Sequence, residues 1–329
     1  MVECLRGSTS IRLDAEKVKV GDVMKNAIVT GGTGFIGSWL LQELINNGVN
    51  ATAIVRDKSK LISEIKNAKN LTIIEKGISE ISKEDFNQNK GYDVFFHLAW
   101  GGVAPEQKND ISLQLNNIAM SIHALEVANE IGCKKFIASG TVAEYVFCDS
   151  VMDVNAKQTP NDMYGAAKVS AHYFLEVRAR QLRQPFVWIV IPSTFGERRH
   201  DNNIITYTIR SLLNGEKPRY GNLQQMWDFL YVGEVVRAIR LIGEYGKTEI
   251  IYGIGSGIYM PLRFYIERIR DLINPDLELG IGEVPSMSTK TFSSCVNIDD
   301  LARDTGFKPE VSFEQGIVRT IEYLKKSRG

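Results

Sequence analysis

The chain has 329 residues, of which 44% are hydrophobic and 24% charged, so it has enough apolar residues for a large core. Its 39 basic and 39 acidic residues cancel, which argues against a nucleic-acid interface or another polyanion-binding surface. No segment approaches the ~20 apolar residues that a membrane span requires, so we expect no membrane partner.

Cysteine and histidine patterns give no sign of a metal site. The cysteines at positions 4, 133, 148 and 295 lack C-x-x-C spacing, and the histidines lack an H-E-x-x-H pattern. We expect reduced thiols in a cytoplasmic protein. Residues 1–23 have mixed charge and no apolar stretch typical of a secretory signal. We expect a poorly ordered or peripheral extension there, with a genuine N-terminal element as the alternative.

The first part of the chain alternates strands and helices. Strands are predicted at 27–30, 51–55, 71–74, 94–98, 136–139 and 186–191, and helices at 35–46, between the second and third strands, at 111–131 and at 162–181. The strands are apolar along their whole length, which is typical of strands buried on both faces. The pattern therefore predicts a Rossmann-type, doubly wound parallel sheet of the α/β class.

After residue 191 the alternation loosens. Helices are predicted at about 204–213, 232–245, 261–273 and 313–326, with glycine- and proline-containing loops between them. We expect a Rossmann domain of residues 24–191 plus about 230–255, and a smaller C-terminal lobe of residues 192–229 plus about 256–329, which we expect to bind the substrate.

A glycine-rich loop follows the first strand and leads directly into the first helix. Gly31, Gly34 and Gly37 have the spacing at which a tight turn, a close approach to a pyrophosphate and close helix packing each require glycine. The helix N-terminus offers unpaired N–H groups and a partial positive charge to phosphates. The loop therefore predicts a dinucleotide site, with further contacts from Thr33, Phe35 and Ile36.

The end of the second strand bears on the choice of cofactor. An NAD enzyme usually has an acidic residue there that accepts from the ribose 2′-hydroxyl, whereas an arginine suits a 2′-phosphate. Arg56 stands at this position and Asp57 follows it. The sequence therefore favours NADP(H), and Asp57 leaves NAD(H) open.

A proton-transfer pair is predicted at the start of the helix at 162–181. Tyr164 and Lys168 are four residues apart and share a helix face. We expect the lysine to lower the pKa of Tyr164 toward the working pH and to hold the nicotinamide ribose. Tyr164 can then exchange a proton with a carbinol or carbonyl oxygen of the substrate. Thr141 follows a strand at the sheet edge where ligands bind, and can hydrogen-bond that oxygen. A capping role is the alternative for Thr141.

In this order, the glycine loop, Thr141 and the Tyr164/Lys168 pair resemble the extended short-chain dehydrogenase/reductases. More narrowly, the chain resembles the NAD(P)-dependent nucleotide-sugar epimerase/dehydratase family from about residue 24 to its C-terminus. The resemblance implies a catalytic triad of Thr141, Tyr164 and Lys168. It also implies an active-site asparagine at Asn117, which organises the helix and a water relay, and a homodimer formed through helices near 111–131 and 163–181.

Three further segments carry the resemblance. Residues 93–99 resemble the family's fourth strand, which implies backbone contacts of Leu98 and Ala99 with the cofactor. Residues 192–196 resemble the stretch that contacts the nicotinamide and begins the sugar site, which implies roles for Pro192 and Ser193. Residues 227–232 resemble the family's Arg-Asp-Phe-x-x-Val segment, with Trp227 in place of the arginine.

A departure after the catalytic threonine narrows the predicted reaction. Family 4,6-dehydratases carry Asp-Glu directly after it, as the acid and base that remove water. Val142 and Ala143 stand there in this chain, with Glu144 one place later. Because neither Val142 nor Ala143 can transfer a proton, the sequence argues against dehydratase activity.

Two tryptophans mark departures at the substrate site. Trp227 replaces the arginine that usually pairs with the nucleotide diphosphate, so another cation has to take that role. The candidates are Arg198, Arg199, Arg210 and Arg219. Trp100 stands where small residues are usual, and it either closes over the sugar or cofactor or is a packing aromatic.

The sequence therefore supports three hypotheses. The first is NADPH-dependent reduction of the C4 keto group of a nucleoside-diphospho 4-keto-6-deoxy sugar. The second is a nucleotide-sugar C4 epimerase that uses the same triad with bound NAD. The third is a non-catalytic dinucleotide-binding protein, because a fold alone does not prove chemistry.

Overall fold

The segments predicted as strands and helices form a layered α/β fold. A computed structural model of the protein describes residues 24–145, 151–285 and 295–327. The predicted extension of residues 1–23 lies outside the described residues, as do Cys4 and Cys148. The strands are β1 (Asn26–Thr30), β2 (Asn50–Val55), β3 (Leu71–Glu75), β4 (Val94–His97), β5 (Lys135–Thr141), β6 (Phe186–Ile191), β7 (Ser193–Phe195), β8 (Arg219–Tyr220), β9 (Met226–Trp227), β10 (Phe229–Tyr231), β11 (Ile250–Gly253), β12 (Met260–Pro261) and β13 (Gly280–Ile281). The helices are α1 (Phe35–Asn46), α2 (Ser63–Lys66), α3 (Ile111–Glu130), α4 (Met163–Leu182), α5 (Ile204–Leu213), α6 (Val232–Tyr245), α7 (Leu262–Ile273), α8 (Asp299–Thr305) and α9 (Phe313–Lys326).

Within the described residues, seven strands form one sheet in the order β11-β6-β5-β4-β1-β2-β3. All of its strand pairs are parallel. The chain runs outward from β1 to β3, then returns to β4 on the other side of β1. Ligands bind at such a reversal, at the carboxyl ends of the strands. The predicted doubly wound Rossmann fold is confirmed.

Helices cover both faces of this sheet. Leu41 of α1 and Ile239 of α6 belong to the core on one face, and Leu125 of α3 and Leu175 of α4 belong to the core on the other. Each of these four side chains is fully buried, and complete burial of one such side chain contributes about 1.5–3 kcal/mol. The two cores hold the strand ends at fixed positions.

A third core lies among the residues after β6. Apolar side chains of α5, α7 and α9 form it together, including Ile205, Ile209, Ile266, Ile269, Ile317 and Ile321. The segment from α6 to β11 instead belongs to the main sheet, because β11 pairs with β6 and α6 packs on α1. The division into two domains at the predicted bounds stays a prediction.

The region between β2 and β3 differs from the prediction. We expected a polar helix, but the structure has one turn of 3₁₀ helix at 58–60 and the single-turn α2. Few apolar residues occur there, and so short a helix gains little from its backbone hydrogen bonds. Helix α8 was not predicted. None of the helices formed by the described residues is long and apolar enough to cross a membrane.

Candidate active site

The glycine loop packs more closely than side chains would allow. Gly31 has a φ of +75°, and a Cβ there would lie 2.9 Å from the Ala99 nitrogen. A Cβ on Gly37 would lie 2.1 Å from the Gly31 oxygen, and the Gly34 N–H donates to that oxygen at 2.9 Å. Among the described residues no side chain caps the N-terminus of α1, so its N–H groups remain open to a phosphate. Thr33 on the loop is exposed, and Phe35 and Ile36 in the first turn are half-buried.

Arg56 and Asp57, at the end of β2, differ in whether their side chains bond to other residues. The Asp57 carboxylate accepts from the Ser59 N–H at 2.9 Å and from the Ser59 hydroxyl at 2.5 Å, and these bonds lower the pKa of Asp57. Arg56 is exposed and makes no ion pair or hydrogen bond with any described residue. The guanidinium is therefore the group available to a ligand there.

The segment after β4 is held from α3. Asn117 is buried, and its amide both accepts from the Gly101 N–H and donates to the Gly101 carbonyl, each at 2.9 Å. Ala99 donates from its N–H to the Thr30 hydroxyl at 3.3 Å, and the backbone of Leu98 lies against Gly31. Asn117 thus fixes the segment that includes Leu98 and Ala99 beside the glycine loop.

His97 ties the same elements together from inside. Its ring lies 3.0 Å from the Thr30 hydroxyl through Nδ1 and 2.9 Å from the Ser121 hydroxyl through Nε2. Burial lowers the pKa of His97 to about 3, so the ring is neutral. We assign His97 to positioning, because both of its nitrogens have protein partners.

The predicted triad comes together at the end of β5. The Thr141 hydroxyl is hydrogen-bonded to the Tyr164 phenol and also accepts from the Ala143 N–H at 3.3 Å. Lys168 is buried one helical turn beyond Tyr164, and its ammonium donates to the Ser139 carbonyl at 2.6 Å. The capping role considered for Thr141 and its contact with Tyr164 therefore occur together.

The pKa of Tyr164 shifts in the direction opposite to our expectation. Burial raises it to about 12, and the hydrogen bond from Thr141 only partly offsets this. Lys168 does not counteract the effect, because burial lowers the pKa of the lysine itself and its ammonium faces Ser139. The prediction that Lys168 lowers the pKa of Tyr164 toward the working pH is therefore wrong, and Tyr164 is a phenol that can donate a proton.

Sequence reasoning missed the position of Glu144. This carboxylate is fully buried and accepts from the Thr141 N–H at 2.7 Å and from the Trp188 indole N–H at 3.1 Å. A glutamate three residues after a strand-end threonine is a capping-box spacing, which was the available signal. Glu144 therefore points into the interior beneath the triad.

Trp100 lies directly over the triad lysine. The Lys168 ammonium is 3.8 Å from the centroid of the Trp100 ring, and the ring meets Tyr164 edge-on at 6.4 Å. The Trp100 indole N–H donates to Gln114 on α3 at 2.9 Å. Trp100 therefore packs against two residues of the predicted triad, Lys168 and Tyr164.

The start of the predicted sugar site follows β6. Pro192 is buried, and its carbonyl accepts from the Thr194 hydroxyl at 3.1 Å. Ser193, the first residue of β7, is half-buried. Trp227 on β9 is also half-buried, and its indole N–H is without a hydrogen-bond partner in the described part of the chain.

The candidate cations do not converge. The Arg198 guanidinium lies 4.5 Å from the Trp39 ring and donates to Gln42 at 2.5 Å, both on α1. Arg219 is 71% exposed and lies 3.5 Å from Glu283. Within the described residues neither arginine makes a hydrogen bond or ion pair with the triad or Trp227.

The remaining two candidates also differ in place. Arg199 pairs with Asp201 at 2.6 Å and lies 5.4 Å from the ring of Phe35, at the start of α1. Arg210 lies half-buried on α5. Arg199 is therefore a candidate that contacts the first turn of α1.

The glycine loop and the first turn of α1 fit a nicotinamide dinucleotide. The glycine loop is a cradle that side chains would fill, and the uncapped first turn of α1 faces it. Among residues 24–145, 151–285 and 295–327, no three His, Cys, Asp or Glu side chains are grouped to hold a metal ion.

Comparisons with known proteins agree with this geometry. A family model described as "NAD dependent epimerase/dehydratase family" matches residues 27–255. A dTDP-4-dehydro-6-deoxyglucose reductase of Escherichia coli is 24% identical over 317 residues, covering 92% of this chain and 99% of that protein. A dTDP-D-glucose 4,6-dehydratase of Homo sapiens is 25% identical over 328 residues, covering 93% of this chain and 92% of that protein.

Solved structures give the same fold. A UDP-N-acetylglucosamine 4-epimerase from Methanobrevibacter ruminantium M1, in complex with UDP-N-acetylmuramic acid, superposes with a TM-score of 0.82 at 26% identity. The match covers 92% of this chain and 99% of that one. A UDP-glucose 4-epimerase from Thermotoga maritima with UDP-glucose superposes with a TM-score of 0.79 at 25% identity, covering 92% of this chain and 100% of that one.

Proposed function

This chain belongs to the NAD dependent epimerase/dehydratase family and is an NAD(P)-dependent enzyme of the extended short-chain dehydrogenase/reductase type, and from this we propose that it reduces the C4 keto group of a nucleoside-diphospho 4-keto-6-deoxy sugar.

The observation that carries the proposal is the inward direction of Glu144. Val142 and Ala143 cannot transfer a proton, and the Glu144 carboxylate is buried against Thr141 and Trp188. Tyr164 is then the acid at the substrate side of the triad. One acid suffices to protonate an alkoxide, whereas removal of water needs an additional acid and base. This favours reduction over dehydration.

A sequence relative supports the same reaction. The Escherichia coli protein named dTDP-4-dehydro-6-deoxyglucose reductase matches 92% of this chain. Its name describes a 4-keto sugar with a 6-deoxy carbon, which is the substrate class proposed here.

The triad residues have distinct roles in the proposed reaction. NADPH would supply a hydride to C4. Tyr164 donates its proton to the oxygen at which negative charge develops, and Thr141 donates a hydrogen bond to the same oxygen. Lys168 holds the ribose side of the site, and Tyr164 regains its proton from solvent.

We propose NADP(H) as the preferred cofactor. Arg56 is exposed at the end of β2 without a partner among the described residues, while Asp57 is occupied by Ser59. A guanidinium is suited to a 2′-phosphate, and a carboxylate to a 2′-hydroxyl. The glycine loop and the first turn of α1 would hold the pyrophosphate.

We place the sugar among Trp100, Ser193 and Trp227. The unpartnered indole N–H of Trp227 offers a donor to the substrate, and Trp100 adjoins Tyr164. Of the four candidate cations for the diphosphate, which are Arg198, Arg199, Arg210 and Arg219, we propose Arg199, because its guanidinium lies beside Phe35 at the start of α1.

A C4 epimerase is the second candidate. Epimerase structures at 26% and 25% identity superpose over nearly the whole of their chains. The same triad serves a reaction in which the cofactor is reduced and reoxidised without leaving. Consumption of added coenzyme distinguishes the two activities.

We also propose a homodimer through α3 and α4. These neighbouring helices carry large apolar side chains that are exposed in the single chain: Ile111, Leu115, Met163, Tyr173, Phe174 and Val177. An exposed apolar surface of this kind is typical of a protein interface.

The experiment is an absorbance assay at the reduced-nicotinamide band. The protein is mixed with NADPH and, in turn, the dTDP-, CDP-, GDP- and UDP-linked 4-keto-6-deoxy sugars. We expect steady NADPH loss with one of them. If epimerised product accumulates from a nucleotide sugar without coenzyme loss, the reductase assignment is wrong and the epimerase replaces it.

A further inference from the structure

A buried carboxylate lies beneath the triad and takes no part in the proposed proton transfer. Glu144 has no exposed surface. One carboxylate oxygen accepts from the Thr141 N–H at 2.7 Å, and the other accepts from the Trp188 indole N–H at 3.1 Å and the Gln158 amide at 3.2 Å. Burial raises the pKa of Glu144, and these three donors together with the Lys168 ammonium oppose that rise and favour the ionised form of the carboxylate.

The chain makes room for this carboxylate with a glycine. A Cβ on Gly140 would lie 2.4 Å from the Glu144 Oε1 and 2.3 Å from the Trp188 Nε1. Any side chain at position 140 would therefore displace the carboxylate or the indole. Gly140 lies between Ser139 and Thr141, so the cradle is built directly behind the reactive end of β5.

Lys168 approaches the same strand end from α4. Its ammonium donates to the Ser139 carbonyl at 2.6 Å, two residues before the N–H that Glu144 accepts. Among the described residues Lys168 has no carboxylate within ion-pair distance, and its other neighbours are the rings of Trp100 and Trp188. Burying an ammonium without a nearby anion is costly, and it would lose its proton instead.

Few titratable groups face Lys168 and Glu144. His97 faces Lys168 from β4 and is neutral, and Tyr164 faces it from the same helix. Tyr145 lies beside Glu144, and Lys108 pairs with Asp162 at 4.0 Å beyond Tyr164. Burial lowers the pKa of Lys168, and in the described part of the chain Glu144 is the charge that raises it.

We propose that Glu144 is a positioning residue whose buried negative charge keeps Lys168 protonated and whose carboxylate fixes Thr141 against Tyr164. The kinetic consequence rests on the proposed function, whereas the charge effect on Lys168 does not. In this proposal the triad carries out the proton transfer, and the buried Glu144 carboxylate behind it holds Lys168 and Thr141 in their reactive state.

The test measures Lys168 directly. The protein is labelled with ¹³C-lysine, the Lys168 signal is assigned as the one lost in Lys168→Met, and its chemical shift is followed from pH 5 to 11. In Glu144→Gln we expect the midpoint of this titration to fall by about one pH unit or more. Glu234→Gln is the matched control, because Glu234 is also buried but pairs with Arg237 on α6 at 2.6 Å. An unmoved midpoint in Glu144→Gln overturns the proposal.

A second variant separates charge from position. Glu144→Asp keeps the negative charge on a shorter side chain, so the Lys168 midpoint should stay near that of the unmodified protein. With the bond to Thr141 lost, kcat should fall about 10- to 100-fold. If Glu144→Asp lowers the midpoint as much as Glu144→Gln, the effect is structural and the proposal is wrong.

A neighbouring side chain can form a hydrogen bond with the amide that Glu144→Gln introduces. The Gln158 Oε1 has no hydrogen-bond partner among the described residues, so its amide can turn over and accept from the new amide. If Glu144→Gln does not fold, Gln158→Leu removes one of the three donors and should lower the midpoint in the same direction, and no shift there is contrary to the proposal. A chain that reduces no keto sugar contradicts the proposed function, while the lysine titration still decides the role of Glu144.

Discussion

The Lys168 ammonium lies 3.8 Å from the centroid of the Trp100 ring and also donates to the Ser139 carbonyl on β5 at 2.6 Å. Nothing in the spacing of positions 100 and 168 along the chain indicates this contact. It makes Trp100 part of the environment that orients the lysine, because a cation over an indole face is attracted by about 0.5–2 kcal/mol.

Trp100→Ala should weaken dinucleotide binding about 2- to 30-fold, because it removes that attraction and leaves Lys168 less ordered. Trp100→Phe keeps an aromatic face and loses only the bond to Gln114, so its loss should be smaller. Calorimetric titration with NADPH measures both. Equal affinities for the two variants would show that the ring contact has no role.

Tyr164→Phe should lower kcat by about 10²- to 10⁴-fold, since the phenol is the proposed acid. Binding of NADPH should change little. Because burial raises the pKa of Tyr164 to about 12, the phenol holds its proton across the neutral range, and we expect no loss of its acid form below pH 10. Tyr145→Phe is the control: its hydroxyl donates to the Val154 carbonyl at 2.6 Å, so it should lose about 1 kcal/mol of stability and keep activity. Full turnover in Tyr164→Phe would remove the tyrosine from the mechanism.

The sequence sufficed for the parts of the site that are local. The glycine loop, the strand-end Thr141 and the i, i+4 pair of Tyr164 and Lys168 all depend on short segments whose conformation follows from residue type and spacing. The sheet could be predicted for the same reason, because its strands are continuous apolar runs between turn residues.

Contacts between distant segments could not be predicted. Glu144 meets Trp188, 44 residues away, and the direction of the carboxylate depends on space that Gly140 leaves. The pKa of Tyr164 was predicted with the wrong sign, because the effect of Lys168 was judged from spacing without the burial of both groups. The choice among the candidate arginines could not be made from the sequence for a similar reason, since Glu283 and Trp39 contact two of them through residues distant along the chain.

Asp228→Asn should change how stability depends on pH. Asp228 is fully buried, and both of its carboxylate oxygens accept from the Ser256 N–H, at 3.1 and 3.0 Å. Burial raises the pKa of Asp228 to about 6, above the value of about 3.9 in an unfolded chain. Between these values the folded protein holds a proton that the unfolded chain has lost, so this group makes stability fall as pH rises from about 4 to 6.

The asparagine cannot ionise, so the variant escapes that loss. Relative to the unmodified protein it should gain up to about 3 kcal/mol between pH 4 and 7, an order-of-magnitude figure. Urea unfolding at four pH values measures the difference. Asp276→Asn, at an exposed position, should show no such trend. A difference for Asp228→Asn that does not vary with pH would contradict the argument.

Phe174→Asp should convert a dimer into a monomer. Phe174 on α4 is 58% exposed among other apolar side chains, and a buried aspartate without a partner at an interface is costly. Sedimentation velocity reports the change. Ile258→Asp, at an equally exposed residue before β12, should leave the dimer intact. The interface assignment is wrong if the unmodified protein is a monomer at micromolar concentration.

Arg56→Ala should weaken NADPH binding about 10- to 150-fold, which corresponds to the loss of about 1.5–3 kcal/mol for hydrogen bonds to a charged group. Binding of NADH should be unchanged, because it carries no 2′-phosphate. Lys58→Ala is a neighbouring control whose ammonium already pairs with Glu75 at 3.0 Å, and it should affect both coenzymes little. Fluorescence titration with each coenzyme gives the change in affinity for NADPH and for NADH in each of the two variants. If Arg56→Ala lowers neither affinity, or lowers both equally, the preference for NADP(H) is wrong.

Asp57 would then have to release Ser59 to accept from the ribose, and Ser59→Ala, which removes the hydroxyl bond, should strengthen NADH binding.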